Sequence, residues 1–416
     1  MLHRKSSSNN IMIKALATSV MIAAVVIPVA SENVEAASVT KTTFKDVTKS
    51  HWAYESIKQV AEKGLVTGYE DGTYKPSAQV TRAEFATFLS RMFDSKDRTT
   101  AKFKDVGSHW AIDAIQEGLA VGFIQESDFT NNKFEPNKPM TRGEMSRWLA
   151  NGLAHANPEY AKAIEEMANS SLTIIPIPEF YKGGVNKKDL PYIGVALGTG
   201  LLSGYSDFTF KPNGNTTRAE VATILIRFMD AMKKAPSDFT GLQELLEVAN
   251  TGTNILTISN FKKTKYTGYE AILGKPHTHL NKGVATIERA IVIDTTGSKA
   301  KGIYKDMFFN ENTPSYNGLN RNFYTVFYEY TLVPSRDVSL HGIADGSLEG
   351  YGLSSRVDKS KSEQFNISTP KNVLDNDFKN GGKYRYWAEG SFLNRPGISI
   401  TGRADDNSFY YYEIPQ

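Results

Sequence analysis

The chain has no cysteine among its 416 residues. That excludes disulfide staples, thiolate metal sites and thiol nucleophiles, so an ordered fold here rests on core burial. Charge of one sign is scarce as well. Lys and Arg number 48 against 45 Asp and Glu, a net charge of +3, and no block of Lys or Arg occurs. The footprint of a nucleic-acid binder is therefore missing, and any anion recognition must come from placed residues. No G-x-S-x-G elbow is present, which leaves a serine hydrolase without local support. Long apolar runs are absent except for one, residues 15–30. It falls short of the ~20 residues a spanning helix needs.

That run follows a segment with His3, Arg4, Lys5 and Lys14 and no acidic residue, and precedes Val34-Glu35-Ala36. Basic, apolar and small-residue segments in this order mark a secretory signal, 1–36, with cleavage expected after Ala36. No transmembrane segment is expected once it is removed. Hydrophobic residues at 40% and charged residues at 22% give a globular balance.

What is present is repetition. Phe44-Lys45-Asp46-Val47 recurs as Phe103-Lys104-Asp105-Val106, and His51-Trp52-Ala53 as His109-Trp110-Ala111. Thr81-Arg82-Ala83-Glu84 recurs as Thr141-Arg142-Gly143-Glu144 and as Thr217-Arg218-Ala219-Glu220. Gly68-Tyr69-Glu70-Asp71 is echoed by Gly204-Tyr205-Ser206-Asp207. Three copies of one unit are expected at 44–93, 103–153 and 178–231, with an insertion at 154–177. Each unit reads as helix, loop, helix. The second helix opens on a capping box, with Thr81, Thr141 or Thr217 as N-cap and Glu84, Glu144 or Glu220 at N3. Behind the box runs an apolar stripe, Phe85, Phe88, Leu89 and Met92 in the first unit. One such helix cannot bury its stripe alone, whereas three can pack into a pseudo-threefold bundle with grooves between units.

The capping box does not explain Arg82, Arg142 and Arg218, cations in the positive first turn of a helix. Two readings stay open. Each forms an anion fork beside free helix amides, or each pairs with an acidic side chain of a neighbouring unit. Trp52 and Trp110 at helix starts read first as core and second as ligand platforms. His51 and His109 read as turn residues.

Taken together, the motifs F-x-D-V, H-W-A, G-Y-x-D-G-T-Y-x-P and T-R-A-E resemble the S-layer homology domain, in three tandem copies. The resemblance implies an all-α pseudo-threefold spindle around a three-helix bundle. It also implies anchoring of an exported protein to a secondary cell-wall polysaccharide through an acidic, pyruvylated sugar, at a Gram-positive-type cell surface. In that family the T-R-A-E arginine meets the ketal acid. By resemblance the role falls to Arg82, Arg142 and Arg218, with Trp52, Trp110, Gly68, Tyr69, Gly204 and Tyr205 on the groove walls. The copies are unequal. Unit two lacks the Gly-Tyr-x-Asp signature and unit three lacks His-Trp, so one groove is expected to be degenerate.

Residues 240–416 read as a mainly β domain, sandwich or barrel, after a short helix at 241–249. Strand-like runs lie at 255–258, 290–294, 323–333, 384–389 and 409–414. His277 and His279 could be half of a metal site, and residues 375–379 begin like a calcium loop. Neither has a full ligand set, and no metal, cofactor or catalytic residue is assigned. The leading expectation is a surface-anchored binding or structural protein, possible partners being other envelope or S-layer components. The rival is an anchored glycan or peptidoglycan hydrolase with residues 240–416 catalytic, its paired carboxylates hidden in sequence.

Overall fold

The structure is a computed structural model, and it describes residues 43–279, 281–310, 319, 321–341 and 355–416. The expected signal segment, 1–36, lies outside the described residues.

The first repeat comprises α1 (Tyr54–Glu62) and α2 (Arg82–Phe93), and the second α3 (Ile112–Val121) and α4 (Arg142–Ala156). Then come α5 (Glu159–Asn169) and α6 (Pro178–Lys182), and the third repeat supplies α7 (Leu190–Gly198) and α8 (Arg218–Ala231). The stripes of α2, α4 and α8 face one another. Phe85 lies 6.0 Å from Trp148, and Phe93 lies 6.1 Å from Phe228. At Gly152 the three helices approach so closely that a Cβ would sit 2.8 Å from the Phe228 ring and 3.1 Å from that of Phe93. Any larger residue there must push the bundle apart.

The approximate threefold axis is marked by a closed ring of backbone hydrogen bonds. The Val80 amide donates to Thr216 (3.0 Å), Thr216 to Met140 (3.3 Å), and Met140 back to Val80 (2.8 Å). The outer helices are exchanged around this axis: α3 packs on α2, α7 on α4 and α1 on α8. A carboxylate fixes each loop. Asp46 accepts the Tyr74 and Lys75 amides (both 2.8 Å), and Asp105 accepts those of Phe134 (2.9 Å) and Glu135 (2.8 Å). In the third repeat Glu179 takes the task, accepting Phe210 (3.0 Å) and Lys211 (2.8 Å).

The segment between repeats two and three acts as an adaptor. Helix α5 packs on α4 and α7. Beyond it Ile174, Ile175 and Ile177 are buried. The carbonyls of Ser171 and Leu172 accept from Arg289 of the β region at 2.6 and 2.8 Å. Arg289 is also ion-paired with Glu329, which takes Arg385 Nε at 2.7 Å on its other oxygen.

After α8 come α9 (Thr240–Thr251), packed on α5 and α7, and α10 (Ile255–Ile258). Residues 255–258, expected as a strand, are thus a helical turn. The Glu247 carboxylate accepts the amides of Leu256 (2.9 Å) and Thr257 (2.8 Å), capping a turn that a short apolar run could not announce.

The strands are β1 (Lys262–Lys263), β2 (Pro276–His279), β3 (Gly283–Asp294), β4 (Phe323–Pro334), β5 (Ser355–Arg356), β6 (Tyr384–Leu393), β7 (Ser399–Arg403) and β8 (Phe409–Glu413). Helix α11 (Lys305–Phe308) lies between β3 and β4, and α12 (Lys359–Phe365) follows β5. Two antiparallel sheets result, in the orders β2-β3-β4-β6-β5 and β1-β8-β7. Strands β3 and β4 are buried on both sides. Ile291, Ile293 and Phe327 join the hydrophobic cluster of the repeats. Val292, Val326, Tyr328 and Tyr330 join a second cluster, with Tyr410 and Tyr412 of the other sheet. The tyrosine-rich strands are therefore packed sheet faces, and the arrangement is a sandwich rather than a closed barrel.

Candidate functional site

The inner helices begin alike. Thr81, Thr141 and Thr217 accept the N3 amide, and Glu84, Glu144 and Glu220 reach back to the N-cap amide at 2.8, 3.0 and 2.7 Å. The next two amides are not free. Arg82 and Ala83 donate to Lys138 and Pro136, Arg142 and Gly143 to Gly214 and Pro212, and Arg218 and Ala219 to Ala78 and Pro76. The helix starts therefore present no open amide nest, which removes the free helix amides from the first of the two open readings. The same crowding bears on Gly143, where a Cβ would meet the Pro212 carbonyl at 3.1 Å.

The guanidiniums also reach into the neighbouring repeat, and all three are buried. Arg82 donates to the Phe134 carbonyl at 2.7 Å and pairs with Glu135 at 3.1 Å and with Glu144. Arg218 donates to Tyr74 and Thr67 carbonyls, both at 2.8 Å, and pairs with Glu84 at 3.1 Å. For these two the intramolecular pairing holds. Arg142 differs. It donates to Phe210 (2.8 Å) and Ser203 (2.6 Å) carbonyls and lies over the Tyr205 and Phe210 rings at 4.8 and 4.7 Å. Among the described residues no carboxylate oxygen lies within the 4.0 Å of an ion pair. Burial pulls its pKa below the ordinary arginine value.

Each inter-repeat groove draws on all three repeats. Groove 1, about 220 Å³, joins the Gly68-Tyr69 loop and α2 of repeat one, Trp110 of repeat two and Arg218 of repeat three. Groove 3, also about 220 Å³, joins the Gly204-Tyr205 loop and α8 of repeat three, Trp52 of repeat one and Arg142 of repeat two. The two tryptophans are 66% and 64% exposed, contrary to their first reading as core. The following Ala53 and Ala111 are buried instead. His51 and His109 are turn residues, accepting the Ala53 amide at 3.1 Å and the Ala111 amide at 3.2 Å through Nδ1.

Residues that the motif reading passed over complete these grooves. Thr87 and Arg91 line groove 1, and Thr223 and Arg227 line groove 3. They stand five and nine positions after Arg82 and Arg218, a spacing legible in the sequence once two copies are aligned. In repeat two the same positions hold Arg147 and Asn151. There the space beside Arg82 is closed by charge. Arg147 is buried and bridges Asp128 at 2.7 Å and Asp189, which stands where the other repeats have Ala53 and Ala111. Burial opposes the charge on Arg147, but the two carboxylates outweigh it and raise its pKa. Groove 2 is thus filled by an internal ion triad.

His277 and His279 are both buried, on one face of β2, and the former lies 2.9 Å from the Arg403 carbonyl through Nδ1. Asp377 in the calcium-like run accepts the Lys371 amide at 3.0 Å, a role within its own loop. Among the described residues no group of three or more His, Asp or Glu could hold a metal ion, and no helix is long and apolar enough to cross a membrane.

Residues 43–86, 102–146 and 185–222 match the S-layer homology domain, so the chain carries three tandem S-layer homology repeats. It is an exported protein of the cell surface, and surface anchoring is the property these repeats define. It is similar to a cellulosome-anchoring protein of Acetivibrio thermocellus, 40% identical over 108 residues, 24% of each chain. It is similar to an amylopullulanase of Thermoanaerobacterium thermosulfurigenes, 31% identical over 190 residues, 45% of this chain and 10% of that one. It is also similar to the S-layer protein sap of Bacillus anthracis, 27% identical over 293 residues, 68% of this chain and 33% of that one. The chain thus spans about a tenth to a third of the length of these relatives. The amylopullulanase match is about as long as the repeat array, whereas the S-layer match is too long to lie within it.

Proposed function

We propose that the repeats hold the chain non-covalently to a secondary cell-wall polysaccharide, with an acidic, ketal-pyruvylated sugar seated in grooves 1 and 3. The observation that carries this reading is the likeness of the two grooves. Each sets an exposed tryptophan from one repeat against a buried arginine from a second and a Gly-Tyr loop from the third. An indole face suits the C–H face of a pyranose ring, and a desolvated guanidinium edge suits a carboxylate. Groove 3 is the better acid acceptor, because Arg142 lies in the field of Glu220 and Glu179 without forming an ion pair with either, and Arg227 stands beside it. In groove 1 Arg218 shares its charge with Glu84, and Arg91 supplies the second cation. Arg82 braces groove 2 and is left out of binding. The β region, tied to the array by the adaptor, is displayed outward as a binding or structural body.

Sedimentation with purified walls tests this. Trp52→Ala with Trp110→Ala should release the chain from intact walls, and the wild type should fail to bind walls stripped of the ketal-bearing polymer. Equal retention on stripped and intact walls would refute the proposal.

A further inference from the structure

One cleft is not accounted for by the repeats. It measures about 360 Å³ and lies between repeat three and the segment that leads into and begins α11. Its near wall is the loop Leu202, Ser203, Gly204 and Tyr205, the same residues that wall groove 3. Its far wall, from Gly302 to Asp306, comes from the β region.

We propose that this cleft prolongs groove 3, and that the wall polymer whose acidic end sits at Arg142 continues into it with one or more uncharged sugar residues. The inference rests on the polysaccharide reading of groove 3 and adds to it the part played by the C-terminal region. Three observations support it. The first is continuity, since four residues are common to both depressions and a chain leaving groove 3 over that loop meets the cleft next.

The second is that both walls are held. The Ile303 amide donates to the buried Glu244 of α9 at 3.1 Å, and Tyr304 Oη donates to the Ile174 carbonyl of the adaptor at 3.2 Å. Gly302 makes the turn at φ +107°, where a side chain would be strained and a Cβ would come 3.0 Å from Glu244. The near wall is clamped from α12. Lys361 Nζ lies 3.6 Å from the Phe208 ring centre, and Gln364 donates to the Asp207 carbonyl at 3.0 Å.

The third is chemistry. Ile177, Leu202, Phe208 and Ile303 give an apolar floor with an aromatic edge for sugar C–H faces. Lys305 and Asp306 lie 3.5 Å apart at the rim and offset each other, so the cleft has no call for a second anion. Groove 3 alone, near 220 Å³, is smaller than the about 300–1,000 Å³ usual for a ligand site.

The test uses the full chain carrying Trp110→Ala, so that groove 1 does not report. It is titrated with the pyruvylated monosaccharide and with a short oligomer of the same polymer. The oligomer should bind about tenfold more tightly. Ser206→Trp, at an exposed cleft position, and Asp306→Arg, at a half-buried one, should each remove that advantage and leave monosaccharide affinity unchanged. An oligomer that binds no better than the monosaccharide, or an advantage that survives both substitutions, overturns the extension. If neither ligand binds the unsubstituted cleft, the polysaccharide reading of groove 3 itself fails, which is a distinguishable result.

Discussion

Removing the indoles is the cleanest perturbation of the grooves, because Trp52 and Trp110 are 66% and 64% exposed and contribute little to the core. A tryptophan covered on all sides buries about 150–250 Å², so one face corresponds to about 80–120 Å². At about 25 cal/mol per Å² a sugar ring laid on that face gains about 2–3 kcal/mol. Each Trp→Ala substitution should then weaken its groove by about 30- to 150-fold. Stability should move by less than about 0.5 kcal/mol, as for other surface positions away from caps and cores. The assay is calorimetric titration with a soluble polymer fragment, paired with a urea melt of each variant. Because two grooves act together on a wall, the double variant should lose far more wall retention than either single one. Lys188, which takes the tryptophan's position in repeat three and is exposed, is the control, and Lys188→Ala should change neither measurement. If both tryptophan variants bind the fragment as tightly as the wild type, the indoles are not platforms and the groove argument is wrong.

Other outcomes follow from the same contacts. Arg147→Thr, the residue type of the other two repeats, leaves Asp128 and Asp189 facing each other with side chains only 12% and 13% exposed. It should cost about 3–5 kcal/mol in a urea melt, and adding Asp189→Ala should recover most of the loss. Glu244 is buried with its pKa raised to about 7 from 4.5. The folded state therefore holds a proton that the unfolded state releases, and the wild type's stability relative to Glu244→Gln should fall by about 3 kcal/mol as pH rises from 4.5 to 7. Parallel stability curves for the two proteins would refute that assignment. Thr217→Ala removes an N-cap acceptor and should lower stability by about 1 kcal/mol in a melt, with wall binding retained.

The repeat fold was legible because its determinants are local. A capping box fixes a helix start, a 3.6-residue stripe fixes its inner face, and the turn residues fix the loop between. The unequal grooves were legible in outline from the missing Gly-Tyr signature. The ion triad that closes groove 2 was not, because Arg147, Asp128 and Asp189 come from separate elements and meet only in the fold. For the same reason the partners of Arg82 and Arg218 could not be chosen from spacing. Their acceptors are the capping-box glutamates Glu144 and Glu84, each already assigned a local task. In the second half most strands showed as aromatic and β-branched runs, while β2 (Pro276–His279) and β7 (Ser399–Arg403) hold too few aromatic or apolar residues to stand out. Residues 255–258 were misread because β-branched residues in a four-residue turn carry a strand's composition without its pairing. The role of the insertion was invisible, since it depends on Arg289, more than a hundred positions away, donating to Ser171 and Leu172.

Two grooves are open and the third is closed by its own charges. The most direct test is the stoichiometry of the pyruvylated monosaccharide on the wild-type chain, measured by titration calorimetry at low salt. Two equivalents are predicted. Three would mean that the Arg147 triad does not close groove 2, one would break the likeness of grooves 1 and 3, and none would remove the acidic sugar from the account.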